Sequence, residues 1–545
     1  MNEIVTGAQA LAQGALAAGV SLVTGYPGSP ATYVVDSLIE STTQNEVQVA
    51  WTSNEKTALE MAFGCSLGGR RSLLCVKSVG LNIALDPLMT MNLSGCNAGF
   101  VILLGDDPGS WGSQNEQDSR ILGIAAELPV LEPATVPDAF QAMRQAFEAS
   151  ETFSLPVIVR ITRALSLAKD HIERISLQQV PQKSFIHEFN RWVVLPINVL
   201  PYHVRLLRRL EEVQARFENS TLNGIEGEGK YGLVASGFTY QKALDALGGE
   251  IPPDLKILRL GTFHPLPTGL LANFIQGVRE ILVLEENSPL VENALRALSQ
   301  RVAEAGGDIP KIYGRASGHI PPAGELFGPH IAMALNRFLP NLDLTPSGQT
   351  SRPRPSLKPL GESCFYTKVF SALEEAIENS GGRENTIVVG DPGCMVRAQS
   401  AAHPLMDVKH SLGSSIGVAT GIAMSQASIE DGKKVVAIIG DSSFLHTGIN
   451  GLMDASRTRA NVLVLVLDNG TTGLSGRQPH PGSQFDARGN PQRGLELPAL
   501  ASAAGANSVS IVDLDRGEDF STAIEAGLHH PGVAVVIARG QCPDC

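Results

Sequence analysis

Near the C-terminal part of the 545-residue chain, two apolar runs each end in a residue with a hard oxygen donor. The run VVAIIGD ends at Gly440 and Asp441, and NVLVLVLDN ends at Asn469 about one helix later. Both have the unbroken apolar pattern of parallel strands buried on two faces. Their separation is that of one strand-helix-strand unit, so both tips face one crevice. An Asp carboxylate, an Asn amide oxygen and the Thr471 backbone carbonyl suit Mg²⁺ and leave positions open for phosphate oxygens. Ser442 and Ser443 share the Asp441 turn.

Positioning such tips requires α/β architecture, and the chain alternates accordingly. Strand, turn and helix follow one another through residues 1–170, with strands expected at Val20–Thr24, Ser72–Lys77 and Phe100–Leu104 and helices at Asn54–Gly69 and Asn82–Met91. The alternation predicts a doubly wound parallel sheet. Tyr26, Pro27 and Gly28 form a tight turn at a strand tip, where glycine lets backbone approach a ligand. Glu55 opens its helix directly after a strand, which aims its carboxylate at the sheet's C-terminal edge. Residues 171–225 read as a linker and a helix whose Arg205, Arg208, Arg209, Glu211 and Glu212 form a solvated face rather than a binding patch. A second βαβ region spans 226–345, where His264 and Glu285 are read as structural. The polar, Pro-rich stretch TPSGQTSRPRPSLKPL leads into a third, 346–545. In that region Gly390, Asp391 and Gly393 end a strand in a Pro-Gly turn, and Ser414 and Ser415 begin a small-residue helix suited to close ligand approach.

The bulk composition narrows the class. With 43% apolar and 18% charged residues the chain is globular and core-rich, and at this length it is expected to form about three or four domains. A net charge of −13 without a basic tail argues against nucleic-acid binding. There is no apolar run of membrane-spanning length. The opening MNEIVTGAQALAQGALAAGV lacks a basic n-region and is read as an amphipathic first helix, so a cytoplasmic protein is expected. Seven cysteines without a signal sequence do not suggest a disulfide framework.

GYPGSP, WTSNEKTALEMAFGCSLGG, KSVGLNIALDPLMT, GDDPGSWGSQNEQDSR, GDSSFLHTGINGL and LDNGTTGLSGRQPHPG together resemble the large (alpha) subunit of indolepyruvate ferredoxin oxidoreductase, within the thiamine diphosphate-dependent 2-oxoacid oxidoreductases. The resemblance covers nearly the whole chain. It implies three doubly wound α/β domains of the thiamine diphosphate-binding fold: a pyrimidine-binding domain, a transketolase C-terminal-like domain and a diphosphate/Mg-binding domain. Glu55 would contact the aminopyrimidine ring as the catalytic carboxylate, and Tyr26, Pro27, Gly28 and Asn82 would line that half of the site. Gly473 and Leu474 would prop the cofactor in its bent form. Gln114, Asn115, Arg477 and His480 fall at substrate positions; Arg477 replaces a family histidine, and its charge would favour a second carboxylate.

Where the family carries a Cys-Pro-Gly-Cys-Pro-His-Arg motif, the chain reads LKPLGESCFY, and it stops at QCPDC without a ferredoxin domain. Cys364, Cys394, Cys542 and Cys545 remain as thiolates for one 4Fe-4S cluster. The resemblance implies oxidative decarboxylation of a 2-oxoacid, with indolepyruvate as the aryl example, to acyl-CoA. Electrons would pass to a ferredoxin-like carrier through a smaller subunit, in a homodimer or heterotetramer. Without a cluster, a non-oxidative decarboxylase or carboligase is the alternative. A third, an assembly scaffold, is disfavoured by the joint presence of Glu55, Asp441 and Asn469.

Overall fold

The computed structural model describes residues 2–173, 180–304, 306–339, 342–346, 348–351, 359–361, 363–400, 405–427, 429 and 432–541. The chain divides into two compact units, Met1–Ala50 with Glu55–Arg354, and Trp51–Asn54 with Pro355–Cys545.

The first unit contains two main sheets. One has seven strands in the order Thr262–His264, Val130–Leu131, Val157–Thr162, Phe100–Asp106, Ser72–Lys77, Leu22–Gly25 and Gln48–Trp51. The run from Val130–Leu131 to Leu22–Gly25 is parallel. Thr262–His264 pairs antiparallel at the edge, although it belongs by sequence to the second βαβ region. That region builds a five-stranded sheet around Tyr231–Ser236, with parallel neighbours Leu255–Leu260 and Glu280–Leu284. One apolar cluster joins the two sheets, from Leu74, Val76 and Ile102 through the helical Leu81 and Leu88 to Leu258, Phe263 and Phe274. Each fully buried Leu or Phe there contributes roughly 1.5–3 kcal/mol.

Charge reinforces this shared core. Arg160, 1% exposed, donates through Nε to Asp106 Oδ2 at 2.8 Å, pairs with Glu132 and donates to the Glu286 carbonyl. Arg120 is fully buried, donates to Asp118 Oδ2 at 2.6 Å and to the Ser288 carbonyl, and lies 3.1 Å from Glu285 Oε2. Glu285 in turn accepts from the backbone N–H groups of Leu290, Val291 and Glu292, at and within the start of the helix Leu290–Glu304. Buried charges are tolerable only when paired and hydrogen-bonded in this way. Glu285 is thus a helix cap and counter-ion. His264 is largely buried, and burial holds its imidazolium form below the ordinary histidine range.

The second unit is a six-stranded, all-parallel sheet in the order Val408–Lys409, Thr386–Gly390, Lys434–Gly440, Val462–Asp468, Val533–Arg539 and Ser508–Asp513. Alternate residues of its central strands pack on opposite faces. Val436, Ile438, Leu463 and Leu465 meet the helices Phe365–Asn379 and Phe520–His529. Val435, Ala437, Ile439 and Val464 meet Ser415–Gln426 and Ile449–Thr458. Two-sided coverage explains the absence of polar alternation in these strands.

Several local expectations need correction. The chain opens with a strand, Asn2–Thr6, paired antiparallel with Lys169–Glu173, before the helix Gly7–Ala17. That helix is buried almost all round rather than amphipathic; a Cβ at Gly7 would lie 2.0 Å from the Leu165 carbonyl oxygen. The helix expected from Asn82 to Met91 runs Ser78–Ser94, so Gly80 and Asn82 sit in its first turns despite Pro87. The helix Pro196–Phe217 keeps Glu211 and Glu212 exposed on the face read as solvated, with Arg205 half-buried, and buries Tyr202, Leu206, Leu210, Val213 and Phe217 on the other. Arg208 stays exposed there, while Arg209 is half-buried. Among the described residues, no helix is long and apolar enough to cross a membrane.

Candidate active site

The second unit brings together Gly440, Asp441, Asn469, Thr471 and His480. Asp441 is 2% exposed at the start of the turn after Lys434–Gly440. Its Oδ1 accepts from Ser442 N at 2.7 Å; its Oδ2 accepts from Asn469 N at 3.1 Å and Gly470 N at 2.7 Å, with His480 Nε2 at 3.1 Å. The carboxylate therefore ties both strand tips together. Asn469 Oδ1 accepts from Thr471 N at 3.1 Å, and the Thr471 carbonyl accepts from Gly473 N at 3.1 Å. Asp441 Oδ1, Asn469 Oδ1 and the Thr471 carbonyl each accept one of these bonds and retain lone-pair capacity for a cation, whereas Asp441 Oδ2 is already engaged by three partners.

A second acid raises the negative charge at this edge. Asp468 has its carboxyl held above the ordinary range, first by burial and then by the Asp441 charge, although Arg539 Nε donates to it at 2.9 Å. A divalent cation would relieve that accumulation. Gly440 and Gly470 leave open space where a Cβ would stand, and Gly470 has φ +74°. The hard donor set, the unbalanced acidic charge and the open backbone fit Mg²⁺ with a diphosphate. Gln478 and His480 are buried beside this turn, whereas Arg477 is exposed with φ 64°.

Asp391 takes another role. It is fully buried, accepting from Gly413 N at 2.9 Å and Ser415 N at 3.1 Å, so it caps the entry to Ser415–Gln426. Burial pushes its carboxyl up to about 6 from an ordinary 3.8, against the lowering effect of those donors. A Cβ at Gly413 would lie 2.0 Å from Thr447 Oγ1, and one at Gly390 would lie 1.8 Å from Met406 Sδ. Gly413, at φ +76°, leaves no unstrained room for a side chain, whereas at Gly390 the end of the Met406 side chain would have to move. Gly393 has φ +145°, and Ser414 Oγ donates to the Ser411 carbonyl. Ser443 is buried beside Asp391. Cys364 and Cys394 are buried in the cluster around Phe365–Asn379, while Cys542 and Cys545 lie outside the described residues. Among the described residues, no three His, Cys, Asp or Glu side chains gather as a metal site. The backbone at Leu474 continues a short 3₁₀ turn, Gly473–Ser475.

The first unit carries the other group. Tyr26 is buried, and Gly28 N donates to Thr32 Oγ1 at 2.7 Å after the strand Leu22–Gly25. Glu55, 5% exposed, opens the helix Glu55–Leu67. Its carboxylate lies against Gly80, where an added Cβ would meet Oε1 at 2.4 Å, Cγ at 2.5 Å and Cδ at 2.7 Å. Asn82 and Gln117 exchange side-chain hydrogen bonds at 2.9 and 3.1 Å. Asn115 Nδ2 also donates to Gln117, and both Gln114 and Asn115 are exposed. Ser113 Oγ and Gly112 N donate to Asp107 Oδ2 at 2.8 Å each.

The matches to known proteins follow this division. Residues 13–191 match the family model described as pyruvate flavodoxin/ferredoxin oxidoreductase, thiamine diP-bdg, and 390–538 match thiamine pyrophosphate enzyme, C-terminal TPP binding domain. The Archaeoglobus fulgidus indolepyruvate oxidoreductase subunit IorA is 32% identical over 98% of the chain and 86% of its own length. The Pyrococcus abyssi protein of that name is 34% identical over 99% of the chain and 85% of its own length. The chain belongs to the indolepyruvate oxidoreductase subunit IorA family. It is accordingly a thiamine diphosphate-dependent enzyme of the 2-oxoacid oxidoreductase type. A solved 2-oxoglutarate:ferredoxin oxidoreductase from Magnetococcus marinus, with 2-oxoglutarate, coenzyme A and succinyl-CoA bound, shares the fold at TM-score 0.50 and 18% identity. That match covers 62% of this chain and 65% of the other.

Set beside other IorA-family features, two residues escaped the sequence reading. Lys77 ends the wholly buried strand SLLCVK, and Asp107 follows Phe100–Asp106. The available signal was a charged residue closing an apolar strand at the edge where ligands bind.

Proposed function

We propose that the chain catalyses oxidative decarboxylation of an aryl 2-oxoacid, with indolepyruvate as the reference substrate. The products are acyl-CoA and CO₂, and two electrons leave to a ferredoxin-like carrier through a smaller partner subunit. The observation that carries this reading is Glu55, a buried carboxylate laid on a glycine at the C-terminal edge of the first sheet, in a chain whose second unit holds Asp441 among Asn469, Gly470 and His480. When bound, thiamine diphosphate supplies the electron sink that lets a 2-oxoacid lose CO₂. Glu55 holds the proton shared with the pyrimidine ring nitrogen. Asp441, Asn469 and the Thr471 carbonyl would hold Mg²⁺, which in turn would anchor the diphosphate. Tyr26, Pro27, Gly28 and Asn82 would contact the pyrimidine, and Gly473 and Leu474 are assigned to cofactor contacts on the resemblance alone.

Substrate contacts are assigned to Gln114, Asn115, Arg477 and His480. Cys364, Cys394, Cys542 and Cys545 are the thiolates that would be assigned to one 4Fe-4S cluster; the first two are buried in one apolar cluster, and the last two lie outside the described residues. The enzyme is assigned as a homodimer or, with its smaller subunit, a heterotetramer. Support for the partner comes from relatives named as subunits, and for coenzyme A from the ligands of the Magnetococcus marinus enzyme. The test is anaerobic turnover of indolepyruvate by the chain with and without its partner subunit, following coenzyme A consumption and ferredoxin reduction. Aldehyde release by the chain alone, with no cluster absorbance near 400 nm, would replace this reading by the non-oxidative decarboxylase.

A further inference from the structure

Lys77 lies at the same strand edge as Glu55 and has no role in the chemistry assigned above. It ends the central strand Ser72–Lys77, is 9% exposed, and immediately precedes the helix Ser78–Ser94 that carries Gly80 and Asn82. Two backbone approaches surround it. A Cβ at Gly28 would contact the Lys77 side chain from 3.1 Å, and one at Gly112 would stand 3.9 Å from Nζ. The Tyr26–Gly28 turn therefore lies against the methylenes of Lys77, and the loop that carries Gly112, Gln114 and Asn115 comes near its ammonium at Gly112.

Burying an ammonium is costly unless an anion and hydrogen bonds compensate. The compensation here is partial. Asp107 Oδ2 is 3.7 Å from Nζ, outside hydrogen-bonding distance, and already accepts from Gly112 N and Ser113 Oγ. Burial keeps the Lys77 ammonium below the ordinary lysine range, with Asp107 only offsetting the effect. The three N–H donors of this buried ammonium thus have one long ion-pair partner, and the residue stands immediately before the helix whose Gly80 lies against Glu55.

We propose that Lys77 binds the carboxylate of the 2-oxoacid, positioning the keto carbon near the Glu55 end of the site. The inference rests on the 2-oxoacid reading above and adds the residue that recognises the substrate's constant group. A carboxylate arriving at Nζ makes short charge-assisted hydrogen bonds that Asp107 does not make. Lys77 then selects for the acid group, leaving side-chain selection to the Gln114–Asn115 loop.

The test uses unreactive probes with the full chain, thiamine diphosphate and Mg²⁺: indole-3-propionate, butyrate and glutarate, each against its amide, measured by calorimetry. Wild type should favour at least one carboxylate over its amide by about tenfold or more. Lys77→Met should bring that preference within about threefold while retaining cofactor affinity, and Lys77→Arg should preserve most of it. Because removing Lys77 alone leaves Asp107 buried without a cation, the charge-balanced double variant Lys77→Met/Asp107→Asn is measured alongside and should show the same loss. Undiminished carboxylate preference in either folded variant would overturn the role of Lys77 and leave the 2-oxoacid reading standing. Failure of wild type to prefer any of the three carboxylates would instead reject the 2-oxoacid reading and this inference with it.

Discussion

Gly80→Ala separates the chemistry of Glu55 from the stability of its surroundings. Gly80 lies in the first turn of Ser78–Ser94, where alanine is a better helix former by up to about 1 kcal/mol. The new methyl would meet the Glu55 carboxylate at 2.4–2.7 Å, so the acid must leave its position. Swinging a side chain to a poorer rotamer costs about 0.5–1.5 kcal/mol. The two effects nearly cancel, and the variant should unfold within about 1 kcal/mol of wild type. Displacing a catalytic group by roughly 1 Å, however, costs on the order of 10²-fold, equivalent to about 2.7 kcal/mol of barrier. The assay is exchange of the thiamine diphosphate C2 proton on the protein, followed by NMR, beside urea unfolding. Exchange within twofold of wild type in a folded Gly80→Ala protein would refute the placement of Glu55 over the pyrimidine.

Other outcomes follow from the same geometry. Glu55→Gln should leave cofactor affinity within about threefold and slow C2 exchange by about 10²-fold or more, because the amide cannot share the proton; the same NMR measurement checks it. Asp441→Ala should weaken Mg²⁺-dependent cofactor binding by at least about 100-fold, read by calorimetry, since it removes the anionic ligand and the tie between two strand tips. Arg160→Met should destabilise the first unit by about 3–5 kcal/mol in urea, leaving Asp106 buried without its cation and Glu132 with only the longer Arg120 pair. Asp391 gives a pH prediction. Its native carboxyl is raised to about 6, so the folded state holds its proton more tightly than the unfolded state, and this stabilising contribution is lost as pH rises from about 4 through 6. The stability of wild type relative to Asp391→Asn should therefore fall by roughly 2–3 kcal/mol across that window, measured by denaturation at each pH.

The strands of the second unit were legible because coverage on both faces leaves an uninterrupted apolar run. Its Asp441 and Asn469 tips stood out because each run stops at a polar residue. In contrast, Asp391 resembled a ligand contact in sequence, while the structure engages both its oxygens with Gly413 and Ser415. The pairing of Asn2–Thr6 with Lys169–Glu173 depends on partners far apart in sequence, which local pattern does not report. The helix expected over Asn82–Met91 extends further at both ends, because packing of Leu81, Ala84 and Leu88 carries it from Ser78 to Ser94 with Pro87 inside. The paired charges of Arg120 and Arg160 were invisible for a related reason: an Arg in sequence does not disclose a distant carboxylate, whether from a neighbouring strand, as Asp106 and Glu132 for Arg160, or from the other sheet, as Glu285 for Arg120.

The short strand Thr262–His264 affects how this enzyme is made. Until it is synthesised, the growing chain presents Val130–Leu131 as an open sheet edge, and open edges invite pairing with other chains. At ordinary elongation rates that exposure lasts several seconds. Protection against misassembly during translation therefore resides in a segment whose contribution is to close a neighbour's edge. Gene fusions or expression fragments cut between the first and second βαβ regions would leave that edge open permanently, and their insolubility would reflect a missing strand rather than an unstable core.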